Sequence, residues 1–189
     1  MAGFRNSYTF AFAAAVCVVC AAILAILSAG LKERRELNIE IDRKQNILKA
    51  VRLETPLAPD AGGEAVLAVY AAKIVEREVD GLPLYVYVES GETRAWCFPV
   101  EGKGLWSTIY GYLALEADGA TIRGLTFYRH GETPGLGGEI ERDWFQENFR
   151  GKPIAGKGVV LRPPVVVKGR AAELPPGDEA HYVDGITGA

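Results

Sequence analysis

Nine consecutive residues, His130-Gly131-Glu132-Thr133-Pro134-Gly135-Leu136-Gly137-Gly138, join polar side chains to a backbone that few other compositions permit. Pro134 restricts its own φ and the conformation of Thr133, while Gly135, Gly137 and Gly138 reach dihedrals and close approaches that a Cβ forbids. Such a segment serves either as a surface turn between a strand and a helix or as a cradle in which Glu132 and Thr133 meet a ligand. His130 and Glu132, two apart, are an acid and base by type, but on a turn that spacing fixes no geometry. Zinc would need His130, the only other histidine His181, and acidic groups at no recognised ligand spacing, so both histidines are expected as solvated loop residues. Nucleotide hydrolysis through a P-loop is excluded, because Gly-x-x-x-x-Gly-Lys-Ser/Thr is absent and Gly151-Lys152 runs into Pro153. A second glycine-bearing stretch, Asp184-Gly185-Ile186-Thr187-Gly188-Ala189, would let backbone amides approach an anion such as phosphate.

The elements that must position these loops follow from periodicity. Leu84-Tyr85-Val86-Tyr87-Val88 and Arg94-Ala95-Trp96-Cys97-Phe98 flank Ser90-Gly91, a hairpin signal, and a second hairpin joins 108–115 to 121–128 through Asp118-Gly119. After the glycine-rich turn, Ile140, Trp144, Phe145 and Phe149 share one face of an expected helix whose first amides point at the turn. Val159-Val160-Leu161 and Val165-Val166-Val167, broken by Pro163-Pro164, read as late edge strands. Upstream, Val66, Val69, Tyr70, Ala72, Lys73 and Ile74 read as a helix ending before Asp80-Gly81. Leu37, Ile41, Leu48 and Val51 lie on one face of a helix that is either a stalk or packed on its own domain. Thr55-Pro56 and 59–63 break it.

From Tyr8 to Ala29 no residue is charged, a run longer than the about 20 that a helix needs to cross a bilayer core. A secretory signal has an apolar region of only about 7–15 residues, Ser28-Ala29-Gly30 is a poor cleavage site, and no Cys follows Gly30 for a lipoprotein. The remaining chain suits one globular domain: 189 residues at 49% hydrophobic build one core plus an anchor. The net charge of −3, without a Lys/Arg cluster, argues against a nucleic-acid partner. Cys17, Cys20 and Cys97 cannot make a disulfide framework, and read as small apolar residues. Lys32, Arg34 and Arg35 outnumber Arg5, which by charge alone would keep the following domain in the cytoplasm.

Two motifs, with Gly104-Leu105-Trp106-Ser107-Thr108-Ile109-Tyr110-Gly111-Tyr112 before the first and Asp42-Arg43-Lys44-Gln45-Asn46-Ile47-Leu48 after the anchor, carry a family resemblance. The chain resembles the C subunit of the sodium-translocating NADH:quinone oxidoreductase, most specifically between Leu105 and Phe149. The G subunit of the Rnf complex, which shares the flavin-binding domain, is the second choice. A membrane-tethered assembly module without a redox role is a third reading.

The resemblance implies an α+β fold: a single transmembrane helix followed by a mostly antiparallel sheet flanked by helices. Its divisions are a tail over 1–7, the transmembrane helix over 8–30, an amphipathic stalk over 31–53 and an FMN-binding domain over 54–189, truncated at its C-terminus. It implies an electron-carrying subunit of a sodium-exporting NADH:quinone reductase, with other membrane subunits and a flavin transferase as partners. It places the soluble domain in the periplasm, against the three basic residues.

The implied FMN site comprises Trp106, Ser107, Glu132, Thr133, Gly135, Leu136, Gly137, Asp184, Gly185, Thr187, Gly188 and Ala189. The flavin is esterified through its phosphate to a threonine expected just after Ala189, and Thr187 occupies a different place in the motif. A flat ring with polar edges calls for apolar covers and a few fixed donors. Trp106 and Leu136 fit the covers, and the amides near Gly135 and Gly137 with the Thr133 hydroxyl fit the donors. Trp106 is otherwise a core aromatic, and Glu132 otherwise a solvated carboxylate unless it hydrogen-bonds the loop.

Overall fold

The first helix, α1 (Gly3–Val51), is long because nothing interrupts it: no proline precedes Pro56, and Gly30 is its one interior glycine. The computed structural model describes residues 3–55, 57–58, 61–155, 161–171 and 181–186. These fall into two compact units, Met1–Glu40 and Ile41–Ala189. In the first, the most apolar window of α1 has a mean hydropathy of 2.9 and none of it is buried. A helix apolar on every side and exposed is suited to lipid, and this one is long enough to cross a membrane.

In the second unit, the end of α1 buries Ile47, Leu48, Ala50 and Val51. It stops where Arg52 takes a left-handed φ of 49°. Its last carbonyls are taken up by Arg123, whose Nε and Nη2 donate to Val51 O at 2.5 Å and Arg52 O at 2.9 Å. After α2 (Gly63–Lys73) come β1 (Ile74–Val79), β2 (Leu82–Glu89), β3 (Glu92–Lys103), β4 (Thr108–Glu116) and β5 (Ile122–Arg129). They form one antiparallel sheet in chain order. A 3-10 turn (Gly137–Glu141), α3 (Asp143–Glu147) and the parallel pair β6 (Val165–Val166) and β7 (Tyr182–Val183) complete the described elements.

Side-chain alternation along β3 and β4 gives the sheet two covered faces. Ala95, Cys97, Tyr112 and Ala114 meet α1 and α2 through Ile47, Val51, Val66 and Tyr70. Phe98, Val100, Leu113 and Leu115 face Ile140, Phe145, Phe149 and Val183 on the other side. Burial leaves Cys97 a small apolar residue, its thiol pushed up to about 12. The sheet thus has the end of α1 and α2 on one face and Ile140, Phe145, Phe149 and Val183 on the other, an antiparallel sheet flanked by helices of the kind that the resemblance implied.

Three expectations need correction. The helix expected through Ile74 ends at Lys73, and Ile74–Val79 is an edge strand: Ile74, Val75 and Val79 favour extended backbone, the charged Glu76, Arg77 and Glu78 suit an exposed edge, and Asp80 and Gly81, at φ 52° and 79°, turn it back as a hairpin onto β2. The helix expected through Phe149 is a five-residue 3-10 turn and a five-residue α-helix, because the chain must bend at Arg142 to bury both Ile140 and Phe145. Trp144 is left half exposed. So short a helix offers no useful dipole to the turn. Finally, Val165 and Val166 form a strand while Leu161 makes only a bridge to Ala155; Val159 and Val160 lie outside the described residues.

The turn between β4 and β5 makes a pH prediction. Asp118 accepts hydrogen bonds from the amides of Ala120 (2.8 Å) and Thr121 (2.9 Å) and from the Thr121 hydroxyl (2.7 Å). These donors, led by the Ala120 amide, hold its carboxyl below the usual range. A carboxyl depressed on folding stabilises the fold fully above its unfolded value of about 3.9 and loses that stabilisation as pH falls through the folded value. Asp118→Asn should therefore lower Tm at pH 7 and flatten its decline below about pH 4. Parallel acid slopes in the two proteins would refute this.

Candidate cofactor site

The site is assembled from the loop between β3 and β4 and the loop after β5. Gly104 N–H donates to Ser107 O at 2.8 Å, closing 104–107 into a tight turn. That turn is tied to the second loop at three points. Ser107 Oγ accepts from the Gly131 amide at 2.6 Å, and Glu132 Oε1 accepts from the amides of Trp106 (3.0 Å) and Ser107 (3.4 Å). The second oxygen of the same carboxylate faces Gly137, where an added Cβ would lie 3.1 Å from Oε2. One carboxylate thus addresses both loops.

Glu132 is only 8% exposed, so it is not a solvated loop carboxylate. A buried carboxylate is stable where N–H donors replace its water, and two backbone amides do that here. The apolar side chains around it go the other way. Leu105 is 70% exposed, Trp106 71% and Leu136 44%, so Trp106 is not a core aromatic. Burying such a side chain is worth about 1.5–3 kcal/mol, so Trp106, whose backbone amide the carboxylate fixes, leaves an apolar surface that a covering ligand would stabilise.

Thr133-Pro134-Gly135-Leu136 is a β-turn closed by Leu136 N–H to Thr133 O at 3.1 Å, with Pro at its second position and Gly135 at φ 77° at its third. A Cβ on Gly135 would meet nothing within 4 Å, so the residue is needed for its φ and not for close approach within this molecule. Gly138 N–H also donates to Thr133 O, at 3.0 Å. The turn's own bonds use the amides of Leu136, Gly138 and Glu139, so Gly135 and Gly137 carry the amides it does not consume. Thr133 is exposed beside them.

The C-terminal stretch reaches the same side of the sheet, since Val183 and Ile186 pack with Ile109 and Ile140 in one core cluster. Its glycine has another job than the expected one. A Cβ on Gly185 would overlap Val167 O, and its amide donates to Gly169 O at 2.9 Å. Gly185 therefore permits close strand packing, and its N–H is already used. Asp184 is likewise engaged, with Oδ1 accepting from the Ala171 amide at 2.7 Å. Thr187, Gly188 and Ala189 lie outside the described residues.

Sequence reasoning missed two members. Gly104 has no room for a Cβ, which would overlap Glu132 Oε1 and lie 2.7 Å from Ser107 O; its place beside Trp106 was the available signal. His130 was expected in solvent, but its side chain is only 9% exposed. No signal for that exists in a turn composition.

A carboxylate-braced pair of loops presenting apolar side chains, on a five-stranded antiparallel sheet, defines a cofactor-binding domain, and residues 104–189 match the family model for the FMN-binding domain. The chain is 31% identical to the C subunit of the Na(+)-translocating NADH-quinone reductase of Vibrio vulnificus, over 91% of this chain and 80% of that one. It is 29% identical to the C subunit from Yersinia pestis, over 92% and 79%. The crystal structure of the C subunit from Parabacteroides distasonis shares the fold with a TM-score of 0.69 at 27% identity, over 84% of this chain and 85% of that one. The chain belongs to the family formed by the C subunits of Na(+)-translocating NADH-quinone reductases.

Proposed function

We propose that this chain is the FMN-carrying subunit of a membrane-bound NADH:quinone reductase, in which it relays single electrons between redox partners while the complex exports sodium. The observation that supports this most is the buried Glu132 carboxylate holding Trp106 exposed. A stable monomer without a ligand has no use for that arrangement.

The residues fit the group. Trp106, Leu105 and Leu136 would cover the faces of the isoalloxazine, and Ser107 and Glu132 would keep the 104–107 loop in place. Thr133 and the amides of Gly135 and Gly137 would donate to the ring edge, where a donor favours negative charge. FMN bound there would supply a centre that takes up and gives out electrons singly. Gly185 and Asp184 would position the C-terminal segment through strand packing.

Attachment would be a phosphoester to a threonine following Ala189. A threonine hydroxyl is not a nucleophile at neutral pH without a base or metal, so a separate transferase would make the bond, taking FMN from FAD: the hydroxyl attacks the flavin-side phosphorus, the pyrophosphate bond breaks and AMP leaves with the proton. The other subunits of the complex are the further partners. The product extended beyond Ala189 should keep flavin fluorescence through denaturing electrophoresis only when coexpressed with the transferase, and the chain ending at Ala189 should not. A fluorescent band from the latter would move the acceptor to a hydroxyl within it, Thr187 first. No visible flavin absorption from any form would overturn the reading.

The soluble domain would lie in the periplasm. A periplasm-active reporter fused to the C-terminus should be active, whereas activity only of a cytoplasm-active one would show that Lys32, Arg34 and Arg35 had set the orientation.

A further inference from the structure

The imidazole of His130 stands at the junction of the two loops, lining a shallow cavity with Ser107 and Gly131. Its Nδ1 accepts the Glu132 backbone N–H at 3.1 Å. Its Nε2 lies 3.0 Å from Glu141 Oε1 on the 3-10 turn, near enough to pair though off the line of a well-directed hydrogen bond. An Nδ1 that accepts carries no proton, so the ring is neutral with its proton on Nε2, toward the carboxylate. The ring thereby ties the 3-10 turn to the main chain of the residue whose side chain holds Trp106 and Ser107.

We propose that His130 is a positioning residue of the cofactor site: its neutral Nδ1 sets the backbone of Glu132, and through the Glu132 carboxylate it sets the 104–107 loop. The consequence for FMN rests on the proposed function; the positioning of the loop does not. Glu141 faces Nε2 from the 3-10 turn, and Glu132 turns its carboxylate away toward Trp106. Arg129, the preceding residue on β5, places its guanidinium 3.9 Å over the Tyr110 ring. Ser107, Thr108 and Tyr110, which share a cavity of about 400 Å³ with Arg129 and His130, complete the surroundings with Gly131.

Two substitutions separate the nitrogens. In His130→Asn the amide oxygen falls where Nδ1 was and can still accept from Glu132, without reaching Glu141. In His130→Gln the amide reaches the Nε2 position and leaves the Glu132 amide without its acceptor. On the full chain in detergent, hydrogen exchange of the peptide holding the Trp106 and Ser107 amides should be about tenfold faster in His130→Gln and near the parent rate in His130→Asn, a single hydrogen bond's worth. FMN affinity should follow the same order. Equal exchange in both variants would overturn the proposal. Should the parent fail to bind FMN, the flavin reading falls while the exchange data still decide the role of His130.

Discussion

Glu132→Ala should weaken FMN binding by one to two orders of magnitude and lower Tm by only a few degrees. The substitution removes the acceptor of the Trp106 and Ser107 amides at once. A hydrogen bond to a charged group is worth about 1.5–3 kcal/mol, a factor of about 12 to 150 in an equilibrium. That cost falls on the 104–107 loop and not on the core, because the Leu105 and Trp106 side chains that the loop carries are exposed. Glu132→Gln keeps a carbonyl oxygen where Oε1 was and loses only the charge, so it should lie between parent and alanine variant. Fluorescence titration with FMN beside calorimetric unfolding would show both effects. An alanine variant that binds FMN as the parent does would separate the carboxylate from the site altogether.

Gly104→Ala should reproduce that defect by a different route. The added methyl would occupy the seat of Glu132 Oε1, with Ser107 O at 2.7 Å and Ile109 Cγ1 at 2.9 Å leaving it no way out. Overpacking of this kind costs about 1–3 kcal/mol. Since both changes break one interaction, their combination should cost much less than the sum, which a double-mutant cycle on FMN affinity would show. Additive effects would mean that Gly104 acts elsewhere. Gly135→Val is a useful contrast. Space around Gly135 is open, so its cost is the backbone strain of a β-branched residue at positive φ, about 1–3 kcal/mol. Thr133→Ala removes at most one hydrogen bond, about 0.5–1.5 kcal/mol, and should be the mildest of the four.

What could be read from the chain without its fold was whatever depends on neighbours in sequence. The uncharged run from Tyr8 to Ala29 sets an anchor by composition, and alternation around Ser90-Gly91 and Asp118-Gly119 sets two hairpins, because turn and strand preferences act over a few residues. Pro134-Gly135 likewise dictates its turn. The tertiary structure decided what depends on approach between distant segments. Asp80-Gly81 was as good a turn signal as Asp118-Gly119, yet whether 74–79 continued a helix or began a strand rested on the pairing of Ile74 with Tyr87. The split of the expected helix at Arg142 came from the need to bury Ile140 and Phe145 on one sheet face. Gly185 looks to local reasoning like room for a ligand, and the fold gives that room to the carbonyl of Val167. Glu132 and His130 show the limit most clearly. In sequence they are a carboxylate and an imidazole on a polar turn, which favours solvent for both. Their burial follows from the 25 and 26 residues that separate Glu132 from the Ser107 and Trp106 amides it serves, a separation that only the pairing of β4 with β5 closes.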